Sequence, residues 1–266
     1  MHILNRCRAA LKKSYIDIHI TDHCNLNCKY CAHFSPVSDV FELKKNDLEE
    51  TYKKLKPIYD IFFNSIHLLG GEPTLHCHLI DILLLTRKYF PETEIQLITN
   101  GLKLLKMEND FWEACRQNAI TLYISKYNIT FNYNQVIDIC RKYNVKYIIE
   151  NTRNEFIHHK LEKTGNQNPL TSYSHCKFGG SCLQLRHNRI YPCPQSAYID
   201  ILNKKFNSNC KHSKFDFIPL DKLHYRIQMI AFILFPKPFC KYCNTKDEYF
   251  APWEQSNSNE SEWFNI

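Results

Sequence analysis

The chain has 266 residues, of which 44% are hydrophobic and 23% charged, with a formal net charge of +7, 13 cysteines and only 6 glycines. This composition excludes global disorder, and average usage would place roughly 19 glycines in a chain of this length. The first residues, Met1-His2-Ile3-Leu4-Asn5-Arg6, hold no apolar run of secretory length, and the longest apolar run, residues 230–235, is too short to span a bilayer. A cytoplasmic protein with no membrane span is therefore expected. The 34 Lys and Arg are scattered, mostly as pairs such as Lys12-Lys13, Lys44-Lys45 and Lys204-Lys205. They give mild support for an acidic or phosphorylated substrate, and no nucleic-acid partner is expected.

Residues 16–20 alternate apolar and polar and read as a strand, followed by a cysteine-rich loop up to about residue 39. Asn46-Asp47-Leu48-Glu49-Glu50 opens a helix with an N-cap and early acids. Strands are expected at 66–69, 94–99, 120–125 and 145–149, with helices at 78–89, 109–117 and 134–143 between them. Strand and helix alternating on short links predict βα units on a parallel sheet. Loops that follow parallel strands gather at the carboxyl edge of the sheet, where ligands bind. The expected division is a barrel core over 1–150, a linker over 151–175 and a cysteine-rich unit over 176–266. Within the last, 183–191 reads as a hairpin turning at His187-Asn188 and 221–235 as a helix, before a Ser/Asn/Glu-rich tail beyond Trp253.

In a reducing compartment, 13 thiols point to metal binding or catalysis rather than a disulfide framework. Cys7, Cys77, Cys115 and Cys140 stand alone and read as buried small hydrophobes. Cys24, Cys28 and Cys31 form C-x3-C-x2-C. Three thiolates on one loop can hold three irons of a cubane cluster and leave the fourth iron open. Structural zinc, with His19, His23 or His33 as a fourth ligand, is the alternative. Leu68-Leu69-Gly70-Gly71-Glu72-Pro73 ends the second expected strand. Adjacent glycines allow close backbone approach to a ligand, and the acid can accept bonds from an amine.

Together these motifs resemble those of the radical S-adenosylmethionine (radical SAM) superfamily, over roughly residues 15–150. The resemblance implies a partial (β/α)6 barrel and a [4Fe–4S] cluster on Cys24, Cys28 and Cys31. S-adenosylmethionine would chelate the open iron. Tyr30 would approach its adenine, and Gly70, Gly71 and Glu72 would hold its amine. Asn100 and Ser125, at later strand ends, are expected near its carboxylate or ribose. The implied reaction is reductive cleavage of S-adenosylmethionine to a 5′-deoxyadenosyl radical, which abstracts hydrogen from a substrate. A flavodoxin or ferredoxin would supply the electron. Asp22, His23 and His33 flank the loop as candidates for proton transfer.

Downstream, the spacing Cys176-x11-Asn188-x4-Cys193 resembles the opening of the SPASM and Twitch extensions, with Asn188 in place of the usual glycine. Three more cysteines follow: Cys210, Cys240 and Cys243. That number suits the shorter Twitch form with one auxiliary [4Fe–4S] cluster. The implied ligands are Cys176, Cys193, Cys240 and Cys243, with Cys182 a rival for one place, Cys210 a bystander and zinc an alternative metal. In outline this resembles a Twitch amino-cyclitol dehydrogenase. The expected activity is oxidation of a small polar substrate: a sugar, cyclitol or nucleotide derivative. Two alternatives are a peptide-modifying member of the superfamily, for which only about 15 residues precede the first strand, and a non-catalytic metal-binding module.

Overall fold

A computed structural model describes residues 14–152 and 154–265; Cys7 lies outside them. β1 (Ser14–Thr21) places Ile16, Ile18 and Ile20 on one face and Asp17, His19 and Thr21 on the other. All six are buried. The polar face of β1 therefore does not meet solvent, and Asp17 lines an internal cavity.

The βα repeats follow in the expected order: α1 (Lys45–Phe62), β2 (Phe63–Gly70), α2 (Leu79–Tyr89), β3 (Glu94–Thr99), α3 (Asn109–Gln117), β4 (Ile120–Ile124), α4 (Tyr133–Lys142) and β5 (Tyr147–Ile149). Helix α1 starts one residue before Asn46, after an extended Lys44 that makes no side-chain cap, so Asn46 is not the N-cap. The main sheet runs β5-β4-β3-β2-β1-β7-β8-β9, where β7, β8 and β9 span Gln184–Arg186, Arg189–Tyr191 and Ile218–Pro219. β1 to β5 are parallel. β7 (Gln184–Arg186) adds a sixth parallel strand beside β1, with Asp17 opposite Gln184. This is the mixed α/β, partial-barrel architecture that the sequence implies.

β8 (Arg189–Tyr191) returns antiparallel to β7. His187 and Asn188 between them have φ of 51° and 57°. Two left-handed residues make the turn whose twist suits a two-residue hairpin, and Asn tolerates that region better than most. Asn188 can thus stand where glycine is usual. β9 (Ile218–Pro219) completes the edge.

The 151–175 segment carries regular structure. It contains β6 (Glu155–Leu161) and α5 (Pro169–His175), the latter capped by Asn168 Oδ1 accepting from the amides of Leu170 and Thr171. β6 pairs antiparallel with β10 (Cys243–Pro252) in a separate two-stranded sheet. His158 and His159 interrupt the apolar pattern of β6, and its partner lies far along the chain. Local periodicity therefore misses it. α6 (Pro194–Phe206) lies between the expected hairpin and the expected helix, with Pro194 at its first position, where the missing N–H costs nothing. The helix expected over 221–235 is a 3-10 turn (Leu220–Lys222) followed by α7 (Arg226–Leu234).

Two cores form. The larger packs β1 to β4 against α1 to α4, and fully buried Cys115 and Cys140 belong to it. The smaller joins Phe34 and Val37 of the cysteine loop to α6, Phe239, Tyr242, Cys243, Trp263 and Phe264. The segment beyond Trp253 is therefore packed structure, not a free tail. Cys77, read as buried, is exposed instead and its thiol donates to Glu42 at 2.8 Å. No helix among the described residues is long and apolar enough to cross a membrane.

Candidate active site

The loops after β1, β2, β3 and β4 meet at the carboxyl edge of the sheet around one cavity of about 530 Å³. Its wall includes Cys24, Cys28, Tyr30, Cys31, Gly70, Gly71, Glu72, Asn100 and Ser125. Every barrel residue singled out in the sequence as a cluster or cofactor contact is thus brought to one place. Strand β6 closes another side with Glu155, Phe156, Ile157 and His159.

The two glycines answer to a specific crowding. A Cβ on Gly70 would stand 2.3 Å from the Thr21 carbonyl oxygen, and one on Gly71 would stand 2.3 Å from that of His23. The chain after β2 lies directly on the base of the cysteine loop. The Gly71 amide donates to Thr21 O and the Glu72 amide to His23 O, both at 2.7 Å. The sequence suggested glycine for approach to a ligand; the close neighbour seen here is the cysteine loop itself.

Glu72 is buried, and its carboxylate is met by four donors. Oε1 accepts from the Thr74 amide at 3.1 Å, the Thr74 hydroxyl at 2.5 Å and the Thr99 hydroxyl at 2.6 Å. Oε2 accepts from the Asn100 amide at 2.8 Å. Burial raises the carboxyl's pKa above its ordinary value, opposed by these bonds. Glu72 thereby ties the end of β2 to the end of β3. Asn100 extends the tie, donating from Nδ2 to Asn25 Oδ1 in the cysteine loop at 2.8 Å. Thr99→Val keeps the shape but removes one donor to Glu72 and the acceptor for the Gly101 amide. It is expected to lower stability by about 1–3 kcal/mol, measured by denaturant unfolding.

Tyr30 adopts φ 63°, and its ring lies against that of His158 with centroids 3.8 Å apart. His19 Nε2 sits 2.7 Å from the Asp22 carboxylate and edge-on to His33. Burial, chiefly, pushes His33 down to about 3, so it is uncharged at neutral pH. Asp17 on β1 lies 3.1 Å from His67 Nδ1 and accepts from Gln184 Nε2 at 2.6 Å. Asp17, Gln184 and Gln195 place polar groups in the cavity. Sequence reading missed them; the inward parity of β1 was the available signal for Asp17.

The C-terminal segment was also missed. The Trp263 indole donates to Cys31 O at 3.2 Å and the Trp253 indole to Cys28 Sγ at 3.1 Å. Low apolar content hid this packing.

A second, small cavity is lined by Cys176, Cys193, Cys240 and Cys243. Cys182 lies instead on the large cavity, receiving a hydrogen bond from Tyr15 Oη at 3.7 Å. Cys210 is buried in the smaller core, off both cavities. His159 and Gln195 line both cavities and so stand between them. Burial pushes Cys24 up to about 11 and Cys240 up to about 12, and lifts Cys193 and Cys243 well above the ordinary thiol value. A bound metal reverses such a preference by holding the thiolate. Lys237, buried beside the four cysteines, is held down to about 8, mainly by burial.

The Radical SAM superfamily model matches residues 18–156, just over half of the chain. This chain belongs to the radical SAM superfamily. Members use a [4Fe–4S] cluster and S-adenosylmethionine, and the three-thiol loop on an internal cavity suits that pair. The GTP 3′,8-cyclase of Clostridium acetobutylicum is 30% identical over 148 residues, covering 52% of this chain and 46% of that protein. The GTP 3′,8-cyclase of Helicobacter pylori is 32% identical over 100 residues, covering 38% and 31%. The chain thus matches less than half the length of these curated relatives. BtrN, solved with AdoMet and 2-DOIA, has the same fold, with a TM-score of 0.54 at 17% identity over 88% of this chain and 93% of that one.

Proposed function

We propose that this radical SAM protein oxidises a small polar substrate, with Cys24, Cys28 and Cys31 holding the cluster that binds S-adenosylmethionine. The observation that carries the proposal is the convergence of those thiols, Gly70, Gly71, Asn100 and Ser125 on one cavity. The bound cluster and S-adenosylmethionine supply an electron and the 5′-deoxyadenosyl radical that abstracts a substrate hydrogen. The protein's part is to position and enclose. Gly70 and Gly71 bring the β2 end against the cluster loop, and Glu72 fixes the β3 loop that would meet the methionine moiety. Tyr30 would flank the adenine. Phe156, Phe178 and Phe250 add apolar surface to the cavity wall, and keeping water from the reacting centre would protect a reactive radical. The electron would come from a flavodoxin or ferredoxin.

For the second site we propose an auxiliary [4Fe–4S] cluster on Cys176, Cys193, Cys240 and Cys243, supplying an acceptor for the electron left after hydrogen abstraction. Residues 176–266 would hold it, with β7 to β9 of that stretch continuing the main sheet.

The kinship with GTP 3′,8-cyclases raises a nucleotide substrate as the second reading. The described lining of the large cavity includes Asp17, Glu155, Gln184 and Gln195 but neither Lys nor Arg. Such a wall suits a neutral or amine-bearing polyol better than a polyphosphate. BtrN, whose fold is shared and whose structure holds 2-DOIA, points the same way. Anaerobic reconstitution tests the proposal. About eight irons per chain and reductive release of 5′-deoxyadenosine are expected, with cleavage stimulated by cyclitols or sugars. One or two zincs per chain and no cleavage would overturn it, and stimulation by GTP alone would favour the second reading.

A further inference from the structure

Trp253 follows β10 and begins the segment that runs along the cysteine loop. Its indole N–H donates to Cys28 Sγ at 3.1 Å. The backbone around it is held by hydrogen bonds to two other segments. The Trp253 amide donates to Asn154 O at 2.9 Å, the Lys29 amide to Glu254 O at 2.9 Å and the Ser256 amide to Asn27 O at 2.7 Å. The Lys29 ammonium also reaches Glu254 Oε2 at 2.6 Å. Residues on either side of Cys28 are thus stitched to Glu254 and Ser256, which directly follow Trp253. Trp263 contrasts with it, since its indole donates to the Cys31 carbonyl and not to a sulfur.

Hydrogen bonds to cluster sulfurs are among the terms that set a cluster's reduction potential. One-electron reduction adds a negative charge shared with the thiolates. A donor aimed at one of them stabilises the reduced form more than the oxidised form. We propose that Trp253 is a positioning residue that raises the reduction potential of the barrel cluster through its hydrogen bond to Cys28. The proposal rests on the reading of Cys24, Cys28 and Cys31 as cluster ligands. No bond is made or broken in the step, and the electron comes from an external reductant.

The test is a dithionite titration of the reconstituted protein, following by electron paramagnetic resonance the signal that changes on adding S-adenosylmethionine. Trp253→Phe keeps an aromatic ring and removes the N–H. At a fixed potential its reduced-to-oxidised ratio is expected to fall about tenfold, a shift of about 59 mV to lower potential for a one-electron couple. An unchanged midpoint at wild-type iron content would overturn the proposal. If Trp253→Phe fails to load, wild-type protein carrying 15N-indole tryptophan decides. A 15N hyperfine coupling on the same reduced signal supports the bond, and its absence refutes it. Failure of the underlying reading looks different, because the S-adenosylmethionine-sensitive signal would then persist in Cys28→Ala.

Discussion

Cys28→Ala is expected to abolish reductive cleavage of S-adenosylmethionine. Cys28 is the middle thiol of the loop, buried, and held between Trp253 and the bridge from its backbone to Gln255. With it gone, Cys24 and Cys31 alone face the cavity from this loop, and two thiolates cannot hold three irons of a cubane. Iron should fall by about half, to the four irons of the second site. Release of 5′-deoxyadenosine should drop below detection in an anaerobic assay with dithionite. The fold should survive, because the strands that carry the loop are pinned elsewhere. β1 pairs with β2 from Ser14 to Thr21, and the glycine crossing at Thr21 and His23 is backbone to backbone. Unchanged far-ultraviolet circular dichroism would separate lost chemistry from lost structure. Cleavage at the wild-type rate would mean that the radical is generated elsewhere.

Much of this site was legible because its signals are local. Cys24, Cys28 and Cys31 lie on one loop, and Gly70, Gly71 and Glu72 are consecutive. The strands that carry these motifs announce themselves by alternation, as in Ile16, Ile18 and Ile20. Spacing and alternation therefore put these residues at strand ends, while their roles as cluster and cofactor contacts are what the resemblance implies. What escaped depends on contacts distant in the chain. β6 is ordered by β10, and nothing within Glu155–Leu161 reveals that partner. Trp253 and Trp263 sit in a polar stretch whose apolar content is too low to suggest packing, yet they close on a loop more than 200 positions earlier. Glu72 escaped in part. Its motif was visible, but its bonds to Thr99 and Asn100 exist only because β3 lies beside β2. The choice between Cys176 and Cys182 was open for the same reason. Both precede the hairpin, and only the packing of α5 and β10 places Cys176 with Cys193, Cys240 and Cys243.

That last distinction gives a paired experiment. Cys243→Ala is expected to remove about half of the iron, while Cys182→Ala keeps all of it. Cys243 opens β10 and is buried, and its carbonyl accepts from Ser172 Oγ at 2.7 Å. The strand is thus anchored to α5, which brings Cys176 to the same small cavity. Losing the Cys243 thiol leaves three ligands in a pocket with no other sulfur on its wall among the described residues. The Cys182 thiol lines the large cavity, beside Tyr15 and Asp17. The two variants should also differ in chemistry. Cys243→Ala keeps the barrel site, so 5′-deoxyadenosine should still form without oxidised product. Cys182→Ala keeps both sites and changes only a cavity wall, so product should still form, at a changed KM. Full iron in Cys243→Ala together with half in Cys182→Ala would exchange the two residues in the ligand set.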